Sequence, residues 1–213
     1  VKTILCGGKQ RARSEADKAL REQQILDAAE ALFTSRRFND LKLADVAAET
    51  GLTKAALYRY FRSKEVLFLA VYRRAFESLA TDIETLSAED FPDRFIQALL
   101  SHTTYCGLTA ILHTVLETGL STAEAREFKL FLLDQTRRLG APIQSVTGQD
   151  EAACFEYLIL CQQALIGCWH LSHPSEAVRD AIQDEPLSVF QLNFADTLSR
   201  HLRLLTDAFI AAR

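Results

Sequence analysis

Between Leu52 and Glu65 the chain reads LTKAALYRYFRSKE, which sets Tyr58, Tyr60 and Phe61 among Lys54, Arg59, Arg62 and Lys64. Cationic and aromatic side chains interleaved this densely suit a surface that lies against nucleic acid. Ammonium and guanidinium groups neutralise phosphates, and long polar side chains reach base edges. Spacing decides which of them can do so. On a wheel turning about 100° per residue, Leu57 and Phe61 fall together as an inner face, while Ala55, Ala56, Tyr58 and Arg59 take the opposite arc. A merely solvated face would carry Glu or Lys where the alanines stand. Small residues instead let a helix backbone sink into a major groove and touch thymine methyls. Thr53, Lys54, Tyr60 and Lys64 stand near helix N-termini, where backbone amides also favour anions. The pattern predicts Phe61 in a core, Tyr58 at a contact and Tyr60 on the border.

Such a face needs elements to hold it. Leu43, Val46, Ala47 and Thr50 repeat at i, i+3, i+4 and i+7, and Gly51 follows as a residue able to end a helix in the left-handed conformation. Thr53 can cap the next short helix, and Ser63 a long one running through Leu67 and Phe76 towards Leu86. Upstream, Ile25, Ala29, Leu32 and Phe33 predict a helix within 17–37. Two short helices at a tight glycine turn, flanked by longer ones, describe a helix-turn-helix. Residues 1–16, with Lys2, Lys9, Arg11 and Arg13, read as a flexible basic arm, 17–62 as the helix-turn-helix unit, and 63–213 as a helical body. Pro92, Gly107, Gly119, Gly140, Pro142, Gly148, Pro174 and Pro186 divide that body into helices near 92–105, 108–119, 122–139, 150–171 and 188–211.

The composition agrees with an all-α fold: 48% of 213 residues are hydrophobic, enough for a core, while Gly (8) and Pro (4) are sparse. The net charge of −4 hides a division. Residues 1–64 carry 13 Lys and Arg against 8 Asp and Glu, whereas 65–213 carry 11 against 20, so a basic module is joined to an acidic body. No apolar run is read as approaching the roughly 18 residues of a membrane span, and VKTILCGG is too short an apolar start for a secretory signal. The expectation is a soluble, cytoplasmic protein with no membrane partner. Five cysteines, an odd number, point to reduced thiols.

The stretch Leu41 to Tyr72, LKLADVAAETGLTKAALYRYFRSKEVLFLAVY, resembles the DNA-binding region of the TetR family of transcriptional regulators. The resemblance covers roughly residues 20–72 and includes the aliphatic-Tyr-x-aromatic-Phe core at Leu57 to Phe61. It implies a homodimer whose N-terminal three-helix head grips double-stranded operator DNA and whose larger C-terminal helical domain binds an effector. Carried onto this chain, the DNA-facing positions are Lys42, Leu43 and Ala44, then Thr53, Lys54, Ala55, Ala56, Tyr58, Arg59, Tyr60 and Lys64. The expected protein is a repressor that binds a palindromic operator and is released by a small, largely apolar or aromatic effector, with no cofactor.

Other constellations stand beside that one. Large side chains mixed with polar ones in the middle helices suggest an effector pocket at Phe95, His102, Tyr105, His113, Phe131, Gln135 and Trp169. Leu192, Phe194, Ala195, Leu198, Leu202, Leu205 and Phe209 form an apolar stripe, which with the 150–171 helix makes a dimer seam. Cys154, Cys161 and Cys168 recur every seven residues, about 10.5 Å apart along a helix, too far to bridge one another. They read as small buried groups in a helix seam, with redox sensing as the alternative. Cys168, His170 and His173 supply too few local ligands for an expected metal site. No phosphate loop, nucleophile elbow or HExxH is present. The protein therefore reads as no enzyme. The competing readings are an all-α enzyme or carrier with an incidental basic module, and a thiol- or metal-sensing DNA-binding regulator.

Overall fold

The computed structural model describes residues 7–212, with side chains from residue 15 onward. Among them every regular element is helical: α1 (Gly7–Ser35), α2 (Leu43–Glu49), α3 (Lys54–Tyr58), α4 (Lys64–Ile83), α5 (Asp93–Ser101), α6 (Thr103–Ile111), α7 (Thr122–Thr147), α8 (Glu151–Ser172), α9 (Glu176–Ala181) and α10 (Phe194–Ala211). A π turn, Leu112–Leu116, continues α6. The chain divides into two compact units, Val1–Val71 and Tyr72–Arg213, with the division inside α4. The first is the head and the second the body. α1 starts at Gly7, within the stretch read as an arm, and residues 1–6 of that stretch lie outside the described residues.

The head folds around the apolar positions that the periodicity picks out. Ile25, Leu26 and Ala29 of α1, Val46 and Ala47 of α2, Leu57 and Phe61 around α3, and Leu67 and Phe68 of α4 are all buried. The Phe68 ring meets Phe33 at 5.7 Å and, edge-on, Phe38 at 5.2 Å, geometries that aromatic quadrupoles favour. Gly51 takes φ +65°, which a side chain would resist, and so turns the chain between α2 and α3.

In the body, α8 packs against α6, α7 and α10. Tyr157 secures α8 to α10. Thr206 spends its only hydroxyl proton on the Leu202 carbonyl at 2.7 Å, so the Tyr157 O–H is the donor in its 2.7 Å bond to Thr206. Phe209 stacks on Tyr157 at 4.4 Å. Three sequence expectations are corrected here. α7 does not stop at 139 but runs through Gly140 and Pro142 to Gly148, where φ reaches +71°. A Cβ on Gly140 would meet Cys154 Cβ at 3.8 Å, so this glycine marks a close helix crossing and not a break. α10 starts at Phe194, after Asn193 caps it by accepting the Asp196 N–H at 3.0 Å, while Leu187–Phe190 is a separate 3-10 turn. Finally, α8, with a mean hydropathy of 1.3, is long and apolar enough to cross a membrane, contrary to the sequence reading. Part of that apolar surface is consumed by packing on three neighbouring helices.

Candidate functional site

The outward face of the head is built by one short helix and its cap. Thr53 Oγ1 accepts the Ala56 N–H at 3.1 Å, starting α3, and its own O–H stays available as a donor. Leu57 and Phe61 anchor the segment in the core, and the Phe61 N–H still reaches the Leu57 carbonyl at 3.0 Å beyond the helix end. The opposite arc is therefore turned out: Thr53, Lys54, Ala55 and Arg59 are exposed, Tyr58 is 45% exposed, and Ala56 and Tyr60 are half-buried. Lys54 Nζ lies 5.8 Å from the centre of the Tyr58 ring, so a cation and a phenol share one patch. At the start of α2, Lys42 and Ala44 are exposed, and the Asp45 carboxylate accepts the Lys42 N–H at 2.9 Å.

Two residues expected on this face are elsewhere. Leu43 is 7% exposed, because it belongs to the same stripe as Val46 and Ala47 and points into the head. Lys64 is turned back on the head itself. Its ammonium donates to the Phe38 carbonyl at 2.8 Å and lies 4.1 Å over the Phe38 ring, and partial burial lowers its pKa. It ties the start of α4 to the α1–α2 connection.

The body contains a cavity of about 480 Å³, within the usual range for small-molecule sites. A 76° bend at His102 between α5 and α6 lets both helices contribute to it. Phe95 and Leu99 come from α5, Tyr105 from α6, Leu132 and Thr136 from α7, and Phe155, Ile159 and Gln162 from α8. Of the residues expected in a pocket, Phe95, Tyr105 and His113 line it; the π turn carries His113. The others are engaged elsewhere. His102 Nε2 pairs with Asp82 at 2.8 Å in the bend, and Phe131 packs on Phe76 and under the Arg73 guanidinium. Gln135 is buried between Asp134 and Arg138. Trp169 stacks on His173 at 4.0 Å and meets Phe194 edge-on at the end of α8. Sequence reasoning missed Tyr72 and Phe76 of α4 and Gln162 of α8. Their signals were present, an i, i+4 aromatic pair and a polar residue inside an apolar helix. The lining carries one ammonium, Lys129, which pairs with Glu117 at 2.7 Å; Glu117 also reaches His113 at 3.3 Å.

Cys106, Cys154, Cys161 and Cys168 are buried and free. Burial pushes all four thiols up, Cys106 and Cys161 to about 12, which leaves them protonated and weakly nucleophilic. Cys168, His170 and His173 do not converge. Cys168 Sγ is 3.6 Å from His201, His170 contacts the Ala110 carbonyl at 3.0 Å, and His173 contacts the Trp169 carbonyl at 2.9 Å.

Comparison with known proteins follows the same division. Residues 25–71 match the family model described as bacterial regulatory proteins, tetR family, and residues 65–210 match that of the tetracyclin repressor-like C-terminal domain. Proteins of two Mycobacterium tuberculosis strains, each described as an uncharacterized HTH-type transcriptional regulator, are 41% identical over 64 residues, 30% of this chain. The match spans 32% of the length of those curated relatives. Among solved structures, a putative TetR-family regulator from Mesorhizobium loti is 17% identical, with 91% of this chain and 96% of that one covered at a TM-score of 0.57. A TetR-family regulator from Streptomyces coelicolor is 16% identical, with 92% and 84% covered at 0.55. SmeT, the repressor of a Stenotrophomonas maltophilia multidrug efflux pump, is 18% identical, with 90% and 89% covered at 0.51. These structures share the fold.

Proposed function

Because this chain belongs to the TetR family of transcriptional regulators, a DNA-binding and non-enzymatic family, we propose that it is a repressor that grips a palindromic operator as a homodimer and is released by a small, largely apolar effector. The observation that carries this reading is the outward arc of α3, with Ala55, Tyr58 and Arg59 exposed over a buried Leu57 and Phe61. Small residues allow close approach to a major groove, and the two long side chains reach beyond them. Lys42, Ala44, Thr53, Lys54, Ala56 and Tyr60 extend the DNA-facing set. Leu43 and Lys64 are left out of it, since the core and Phe38 engage them.

A seam through α8 and α10 supports the dimer. Leu160, Ala164, Gly167 and Leu171 follow i, i+4, i+7 and i+11 on α8, and Leu171 is 63% exposed. Leu204 of α10 is 65% exposed. Small residues between exposed leucines suit close helix packing against a second copy. The stripe expected on α10 is narrower than its sequence pattern, because Leu198 and Leu202 are spent inside the chain. A two-fold dimer presents two copies of α3 to half-sites about one helical turn apart or a multiple of it. The cavity supplies the effector site, and a tenfold loss of operator affinity requires about 1.4 kcal/mol of coupling to the ligand. Selection of bound fragments from random duplex DNA, with and without hydrophobic compounds, tests the reading. Recovery of an inverted repeat and its release by at least one compound are expected. Binding without sequence preference, or a monomer at micromolar concentration, would overturn it.

A further inference from the structure

Charge around the cavity is one-sided. Among the described residues that line it none is a carboxylate, and Lys129 carries the one permanent charge. The other polar groups are neutral or engaged. Thr136 donates its hydroxyl proton to the Leu132 carbonyl at 2.8 Å, Tyr72 and Tyr105 hydrogen-bond each other and Thr109, and Gln162 and Gln163 are uncharged amides. Lys129 belongs to a cluster built on Glu117, which is not itself a lining residue. One Glu117 oxygen accepts from the Lys129 ammonium at 2.7 Å, and the other lies 3.3 Å from His113 Nδ1. The Glu117 side chain is 19% exposed, against 52% for Lys129 and 49% for His113, so the carboxylate sits behind and the two nitrogen-bearing groups stand at the opening of the cavity.

Valence shows what the cluster has left to give. An ammonium has three N–H donors and Glu117 takes one, so two remain for a ligand. A carboxylate only accepts, so His113 turns a protonated Nδ1 to Glu117 and keeps Nε2 free. An ion pair this exposed adds little stability, but it fixes where the ammonium stands. Resting on the reading of this cavity as the effector site, we propose that the effector is a hydrophobic carboxylate whose headgroup accepts from the two spare donors of Lys129, beside His113. Its apolar body lies against Leu132, Leu133, Leu158 and Ile159. Two oxygens on one headgroup suit two donors on one nitrogen. A cationic effector would instead meet Lys129 with no lining carboxylate to offset it. Glu117 is a positioning residue in this scheme, and its own charge opposes that of the ligand.

Naphthylacetate, naphthylethanol and naphthylethylamine test this by calorimetric titration of the full chain, since at neutral pH they carry a carboxylate, a hydroxyl and an ammonium on one skeleton. The acid is expected to bind about tenfold more tightly than the alcohol, with the amine weakest. Lys129→Gln should cut the preference for acid over alcohol to about twofold or less. Glu117→Gln removes the opposing charge and should tighten acid binding about threefold, an effect that a purely structural ion pair would not give. Alcohol affinity should be unchanged in both variants, which also reports an intact cavity. Equal affinity for acid and alcohol, tightest binding of the amine, an undiminished acid preference in Lys129→Gln, or acid binding that Glu117→Gln fails to tighten would overturn the assignment and leave the cavity standing as an effector site. Binding of none of the three would overturn it as well. The cavity reading falls with it only if the cavity-filling Ile159→Trp also leaves effector release of operator untouched.

Discussion

The head carries its chemistry outward on a helix of five residues, whereas the body encloses its chemistry among side chains drawn from α4, α5, α6, α7 and α8. The first arrangement needs only that Leu57 and Phe61 be buried, since helical geometry then turns Ala55, Tyr58 and Arg59 out. The second needs several helices to stop short of one another. An exposed contact surface is thus a local property of the sequence, and a cavity is what packing leaves behind.

Substitutions can break that contrast. The largest effect is expected from Leu57→Ala, which removes the anchor of the outward face and should cost the head about 3 kcal/mol by denaturant unfolding. Operator binding should fall with it. Arg59→Ala and Tyr58→Ala should instead leave the unfolding midpoint in place and weaken operator binding by about 1–3 kcal/mol each if they contact bases. Unchanged affinity in both would move the contact surface off α3. Lys64→Ala should cost roughly 1 kcal/mol of stability through the lost bond to Phe38, with an unaltered salt dependence of DNA binding. A shallower salt slope would return Lys64 to the phosphate-contacting set.

The smallest effect is expected for the thiols. In a Cys6→Ser background, the four buried cysteines should react with a thiol-labelling reagent far more slowly in the native protein than in denaturant, because burial holds them protonated. Peroxide should leave operator affinity unchanged. Peroxide-dependent release that disappears on replacing Cys154, Cys161 and Cys168 would put redox sensing in place of the effector.

Legibility in the sequence follows the same contrast. The turn at Gly51, the cap at Thr53 and the buried pair Leu57 and Phe61 were all readable, because each depends on neighbours within about four residues. Leu43 shows how a position carried over from a resemblance can lose to periodicity: its own stripe with Val46 and Ala47 sends it inward. The bond from Lys64 to Phe38 could not be read from local pattern, since the two lie 26 residues apart. In the body, Phe95, Tyr105 and His113 line the cavity, whereas Trp169 and Gln135, of equally suitable type, do not. Residue type alone could not separate them. Gly140 and Pro142 looked like a stop and lie within α7, where the close crossing with Cys154 makes use of the glycine.

By itself, the sequence determined the helical class, the basic head against the acidic body, the helix-turn-helix and the side of α3 that faces out. These depend on composition and on periodicities that repeat every few residues. Tertiary structure alone decided that Lys64 serves Phe38 and that Tyr72 and Phe76 join Tyr105 around one cavity. The physical reason is range. A helix wheel fixes direction within one element, but which directions converge depends on how helices far apart in the chain cross and on the space their side chains fail to fill.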